Sequence, residues 1–253
     1  MYRDIETEAS YKHLRLVISS LKGPVCVLGG WAVYFTVNNN YQNQTSRIYL
    51  GSRDIDIGFN SIKSFKESAS ILENKLRFKS VSFRYYKQIH LETGRELSDE
   101  EARLLPQHLV FTLYIDPIMP HINKDIRAKL NFAPIDEPLL KHVFKNNKHI
   151  REIKAFGKSI ILPAPELLLA TKINSSIHRD KEHKQIKDLC DIIALCLFSG
   201  KPIDRTIKEA ISFVSNENLK MFRAMHIAET SSLSSMLGLE AATLNAVFTK
   251  IKT

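Results

Sequence analysis

The chain has 253 residues, 44% of them apolar and 25% charged, which is ordinary for a soluble globular fold and enough to bury a sizeable core. Its net charge of +9 and pI near 9.4 favour polyanionic partners, nucleic acid before acidic membrane surfaces. No apolar run approaches the roughly 20 residues of a membrane span, and Met1-Tyr2-Arg3-Asp4-Ile5-Glu6 lacks the basic-then-apolar order of a secretory signal; no membrane association and a cytoplasmic location are expected. Cys26, Cys190 and Cys196 are odd in number, scattered and without a CxxC pair, which excludes a disulfide framework and zinc spacing and leaves three small buried side chains.

Residues 4 to 22 carry apolar positions at helical spacing, ended by Gly23-Pro24. Val25-Cys26-Val27-Leu28 suits a buried strand that stops at Gly29-Gly30. A helix from near Trp31 is expected, then a polar loop around Asn38 to Gln44. Asp54-Ile55-Asp56-Ile57-Gly58-Phe59 alternates at period two, the mark of a two-faced strand. A helix over 61 to 76 and strands over 81 to 91 and 109 to 115 follow. Lys158 to Leu162 reads as a last strand, and Pro165 with Glu166 suits the first turn of a helix. From there to Thr253 the pattern is helical, broken at Gly200-Lys201-Pro202 and near Gly238. The expected fold is an α/β domain on a mixed sheet over 1–140, then a mainly helical domain with an initial strand over 141–253.

Chemistry concentrates where Gly29-Gly30 is followed by Ser52-Arg53-Asp54-Ile55-Asp56-Ile57. Two aspartates one residue apart on a strand share a face, so their carboxylates can converge on metal, while Ile55 and Ile57 anchor the strand from behind. Phosphoryl transfer needs neutralisation of the triphosphate, activation of a hydroxyl and stabilisation of the leaving pyrophosphate. Two Mg²⁺ ions on hard oxygen ligands supply all three, with Mn²⁺ as a possible substitute. The glycine pair lets backbone approach a phosphate at a helix start. A third carboxylate is needed; Asp116, at the end of its strand, is the candidate and Glu92 the alternative. An Asp-x-Asp alone is common in turns; the composite with the glycines is specific.

Leu28-Gly29-Gly30-Trp31-Ala32-Val33 with Ser52-Arg53-Asp54-Ile55-Asp56-Ile57 resembles the signature of the polymerase-β nucleotidyltransferase superfamily, and within it the AbiEii/AbiGii type, a group that includes toxins of toxin–antitoxin systems. Leu162 to Lys172 and Lys187-Asp188-Leu189-Cys190-Asp191-Ile192 are similar to that group's later motifs. The resemblance covers roughly residues 25 to 195. It implies an NTP-dependent transferase whose nucleotide is held at Gly29, Gly30, Ser52 and Arg53, with Lys172 on the triphosphate, Asp188 orienting that lysine and Arg179 as a further basic contact. An antitoxin partner is implied as a possibility. Trp31 stands where the group often has a small residue, which would reshape the nucleotide pocket, and the long separation of Gly30 from Asp54 implies an inserted loop at 38 to 47.

Lys141, Lys145, Lys148, Arg151, Lys154 and Lys158, then Arg179, Lys181, Lys184 and Lys187 near His178 and His183, would form a phosphate track if both clusters flank a cleft. The leading expectation is transfer of a nucleoside monophosphate to an acceptor hydroxyl, tRNA or another RNA end. A protein or small-molecule acceptor is the second, though a polycationic acceptor suits a basic chain poorly. A non-catalytic nucleic-acid-binding module is the third.

Overall fold

The computed structural model describes residues 4–122, 132–145, 147–227 and 230–253. It is an α/β arrangement with a mixed sheet and a helical C-terminal region. The chain forms two compact units, residues 1–31 with 51–162 and residues 32–50 with 163–253. Residues 141–162, grouped by sequence with the C-terminal half, thus belong to the first unit, and residues 32–50 belong to the second.

The first unit holds the sheet. Its strands are β1 (Val25–Val27), β2 (Ile55–Gly58), β3 (Lys79–Val81), β4 (Arg84–His90), β5 (Glu96–Leu97), β6 (Val110–Met119), β7 (Ile135–Asp136), β8 (Ile150–Ala155) and β9 (Lys158–Pro163). The order is β3-β4-β6-β2-β1-β9-β8, with β5 on β4 and β7 on β6. β2 runs parallel to β6 and antiparallel to β1. Helix α1 (Asp4–Ser20) buries Leu14, Val17 and Ile18 completely. Period-two alternation decides the sheet's core face, where Ile55, Ile57, Tyr85, Ile89, Phe111, Leu113 and Ile115 are each at most 2% exposed. Burying each such side chain contributes about 1.5–3 kcal/mol.

Three sequence expectations change. The stretch from 81 to 91 is a hairpin, β3 to β4, with Ser82 at a positive φ of 55°. Residues 150–155, expected to be part of a basic junction, form β8. Strand β6 runs four residues beyond Ile115, so Asp116 lies inside the strand and not at its end. The strand tolerates Pro117 because β4's pairing ends at Ile115 and β7's begins at Ile118, leaving no ladder for a missing N–H to break on that side.

Helix α2 (Gly29–Thr45) begins in the first unit and continues in the second. The polar loop expected at 38 to 47 is helix as far as Thr45. Asparagine competes for backbone hydrogen bonds and so reads as loop, but here the side chains find tertiary partners. Asn38 Oδ1 accepts from the Tyr49 amide at 2.8 Å, Asn40 Nδ2 donates to the Phe198 carbonyl at 2.9 Å, and Tyr41 OH donates to the Leu237 carbonyl at 2.8 Å. Val37 and Tyr41 are buried one turn apart. Trp31 is core, 1% exposed, its indole N–H donating to Ser10 Oγ at 3.1 Å.

The second unit is helical after Pro163. Helix α3 (Pro165–Ser176) has its proline in the first turn, as expected, and packs on helix α4 (Glu182–Phe198). Breaks fall at Gly200, with φ +82°, and at Gly238, with φ +60°.

Candidate functional site

Asp56 and Asp116 are register partners on the parallel pair β2 and β6. Their side chains therefore lie on one face of the sheet, while Ile55, Ile57 and Ile115 fill the other. Asp54 sits one residue ahead of β2 at a bend and is partly exposed, as is Asp56. Asp116 is 5% exposed. Glu92 lies exposed in the turn after β4, at the opposite end of that strand from Asp116's neighbour Arg84.

The glycine pair closes on these aspartates. Gly29 has φ +57°, and a Cβ there would stand 1.8 Å from Asp56 Oδ2. At Gly30 a Cβ would stand 2.9 Å from Ser52 Oγ. The Leu28 amide donates to the Asp56 carbonyl at 2.9 Å, which ties the strand–helix turn to β2. Only residues without side chains let the start of α2 come this near to Asp56 and Ser52. Arg53 turns to α1, its Nε 3.1 Å from Glu6 Oε2 and its guanidinium 5.3 Å from the Phe111 ring.

One residue with no local signature in the sequence dominates the charge balance. Arg84 donates from Nε to Asp116 Oδ1 at 2.9 Å and from Nη2 to Oδ2 at 2.6 Å, the bidentate geometry specific to arginine. Its guanidinium stacks 4.2 Å from the Tyr114 ring and feels the charge of Asp54. A lone arginine at a strand start is an ordinary solvated residue by sequence; only the hairpin and the register bring it across from Asp116.

Among the described residues, no group of three or more His, Cys, Asp or Glu side chains is arranged to hold a metal ion. The donor set at Asp54 and Asp56 is nonetheless all hard oxygen, and the Asp56 carboxylate lies directly against the Gly29 backbone, in the place a side chain at Gly29 would need. That suits Mg²⁺ carried by two carboxylates with phosphate oxygens completing its shell, the usual manner for this ion.

The later sequence motifs meet in the second unit. Lys172 Nζ lies 2.8 Å from Asp188 Oδ1 and 2.7 Å from Asp191 Oδ2. Arg179 Nε lies 2.7 Å from Asp188 Oδ2, Lys187 pairs with Asp191, and Tyr49 OH donates to Asp191 Oδ1 at 2.6 Å. Lys172, Lys187, Asp188 and Asp191 are all buried. Burial lowers Lys172's pKa, but the two aspartate charges outweigh it and hold the ammonium above the ordinary lysine value. Burial pushes Asp188 up, and Lys172 with Arg179 brings it down to about 2. Asp188 and Asp191 thus both pair with Lys172. Lys187 and Arg179, expected in a phosphate track, are engaged by the same aspartates.

No family model matches the chain, and no curated protein matches it. Among solved structures the chain is similar to an antigenic nucleotidyltransferase-like protein from Paracoccidioides brasiliensis, at 16% identity over 95% of this chain and 96% of that one, with a TM-score of 0.42. No helix is long and apolar enough to cross a membrane among the described residues.

Proposed function

We propose that the protein is a metal-dependent nucleotidyltransferase that moves a nucleoside monophosphate from an NTP to an acceptor hydroxyl at an RNA end. The supporting observation is the juxtaposition of Asp56 with Asp116 on paired strands and with the Gly29 backbone at the start of α2. A glycine turn at a helix start favours phosphate, and adjacent carboxylates favour the ion that accompanies it.

Asp54 and Asp56 would hold Mg²⁺, with Mn²⁺ as substitute; when bound, the ion neutralises the triphosphate and the leaving pyrophosphate. Gly29 and Gly30 offer backbone amides to phosphate, with Ser52 against them. The acceptor oxygen forms a bond to the α-phosphorus, the bond from that phosphorus to the bridging oxygen breaks, and the hydroxyl proton passes to a carboxylate. Asp116 is the candidate acceptor of that proton and a third ligand, roles that require Arg84 to release at least one of its oxygens. A second Mg²⁺ belongs to this reading only with Asp116 so released. From the sequence resemblance alone, Lys172, paired with Asp188, is a further candidate contact for triphosphate. As such a transferase the protein would act as the toxin of a toxin–antitoxin pair and bind an antitoxin protein.

A second reading is favoured by one observation. Arg84 neutralises Asp116 as a metal would, which fits a non-catalytic binding module.

Label transfer from each α-³²P-NTP with Mg²⁺, with and without total tRNA, separates the two. Labelled RNA from wild type and none from Asp56→Asn is the outcome expected of the transferase. NTP binding without labelled RNA redirects the search to protein or small-molecule acceptors, and loss of both binding and transfer leaves the binding module.

A further inference from the structure

A concavity opens along β6 in the first unit. It is a cleft of about 940 Å³, lined by Arg53, Gln88, Arg103, His108, Thr112 and Tyr114 among others. That volume lies in the range of sites that enclose a small ligand, roughly 300–1,000 Å³, and suits one or two nucleotides better than a duplex.

Its position follows from the pleat. Thr112 and Tyr114 alternate with the buried Phe111, Leu113 and Ile115, so they share a face with Asp116. Tyr114 and Asp116 are two residues apart on one strand, about 7 Å. Arg84 bridges the two places, bound to Asp116 and stacked on Tyr114. A ligand lying against Thr112 and Tyr114 thus points toward Arg84 and, behind it, Asp116.

Its chemistry is equally one-sided. Arg53, Arg103 and His108 supply cationic or proton-donating groups, and Glu6, the lining carboxylate, is paired with Arg53. Gln88 stands opposite Thr112 in the register, and its buried Oε1 has no hydrogen-bond partner among the described residues. Gln88 also lines the cleft, where a primary amide can pair with a sugar hydroxyl or a base edge. A polycationic acceptor finds no acidic wall here. A phosphodiester with its ribose finds guanidinium groups for the phosphate and amide and hydroxyl groups for the sugar.

We propose that this cleft is the acceptor subsite and receives the terminal nucleotide of an RNA strand. The proposal rests on the transferase reading above and adds to it the place and class of the acceptor.

The test titrates the full chain into a fluorescein-labelled RNA hexamer with a free 3′ hydroxyl, followed by anisotropy across salt concentrations. A parallel titration uses a fluorescent ATP analogue with Mg²⁺. Arg103 is exposed, so Arg103→Glu keeps the fold, checked by circular dichroism. The expected result is RNA affinity weakened about tenfold or more and a salt slope smaller by about 0.7 or more, one phosphate contact's worth on a single strand, with ATP-analogue affinity unchanged. Asp56→Asn is expected to do the reverse, losing the nucleotide and keeping RNA. RNA affinity and slope in Arg103→Glu within twofold of wild type overturn the acceptor subsite, as does a wild type that binds no RNA. If wild type binds RNA through Arg103 yet neither binds nor transfers nucleotide, the transferase reading fails instead, and the cleft stands only as an RNA site.

Discussion

Arg84 holds both oxygens of Asp116, at 2.9 and 2.6 Å, across the gap in the β6 ladder between the pairing of β4 and that of β7. Asp116 is buried and the Arg84 side chain is about a fifth exposed. Removing one partner of such a pair leaves an uncompensated charge, which costs more than the pair itself contributes.

Arg84→Ala is accordingly expected to destabilise the protein by roughly 2–4 kcal/mol at neutral pH, somewhat under the figure for a fully buried pair. Millimolar Mg²⁺ should restore part of that loss in the variant, because a divalent ion can take the guanidinium's place beside Asp116. Urea denaturation with and without Mg²⁺ measures both. A variant indifferent to Mg²⁺ would remove Asp116 from the set of metal ligands.

The two glycine substitutions Gly29→Ala and Gly23→Ala separate backbone strain from collision. Both positions have positive φ, +57° and +67°, so each substitution carries a left-handed penalty of about 1 kcal/mol. At Gly23 a Cβ meets nothing within 4 Å, whereas at Gly29 it meets Asp56 Oδ2. Gly29→Ala should therefore lose at least about 1–2 kcal/mol more than Gly23→Ala. Equal unfolding midpoints would mean that Asp56 swings away freely and is not held against the glycine turn.

Asp188 makes stability depend on acid. Its folded pKa, about 2, lies below its ordinary value of 3.8. The unfolded chain therefore binds the proton first, and Asp188's contribution is fully present above pH ~4 and is lost as pH falls through 4 towards 2. The shift corresponds to roughly 2 kcal/mol. Asp188→Asn should flatten the stability–pH curve in that window relative to wild type, besides lowering stability at pH 7 by leaving Lys172 one counter-charge short. An unchanged acid slope would show that Asp188 is not the carboxylate governing it.

All three cysteines are buried, and burial pushes each thiol up to about 12. The thiolate is the reactive form. Ellman's reagent at pH 8 should find no reactive thiol within minutes in the native protein and three once it is unfolded in guanidinium. A thiol titrated promptly in the native state would mean that its surroundings open readily.

The fold class and the heart of the candidate site were legible in the sequence because their causes are local. Alternation around Asp54-Ile55-Asp56-Ile57 obliges a two-faced strand whichever sheet receives it, and a glycine pair before a helix offers a close backbone approach wherever it lies. Pro163-Ala164-Pro165 and Gly238 likewise mark boundaries through φ and a missing N–H. What sequence could not decide are matters of register and of partners far along the chain. Asn38, Asn40 and Tyr41 look like loop residues until Tyr49, Phe198 and Leu237 satisfy them. Lys172 looks like a solvated lysine until Asp188 and Asp191 enclose it. Asp116 becomes a neighbour of Asp56, and Arg84 its clasp, only once β6 lies between β2 and β4. Local conformation is set by each residue's own sterics and hydrogen-bonding groups, but the protonation, pairing and reach of a carboxylate are set by whichever charge the sheet brings beside it.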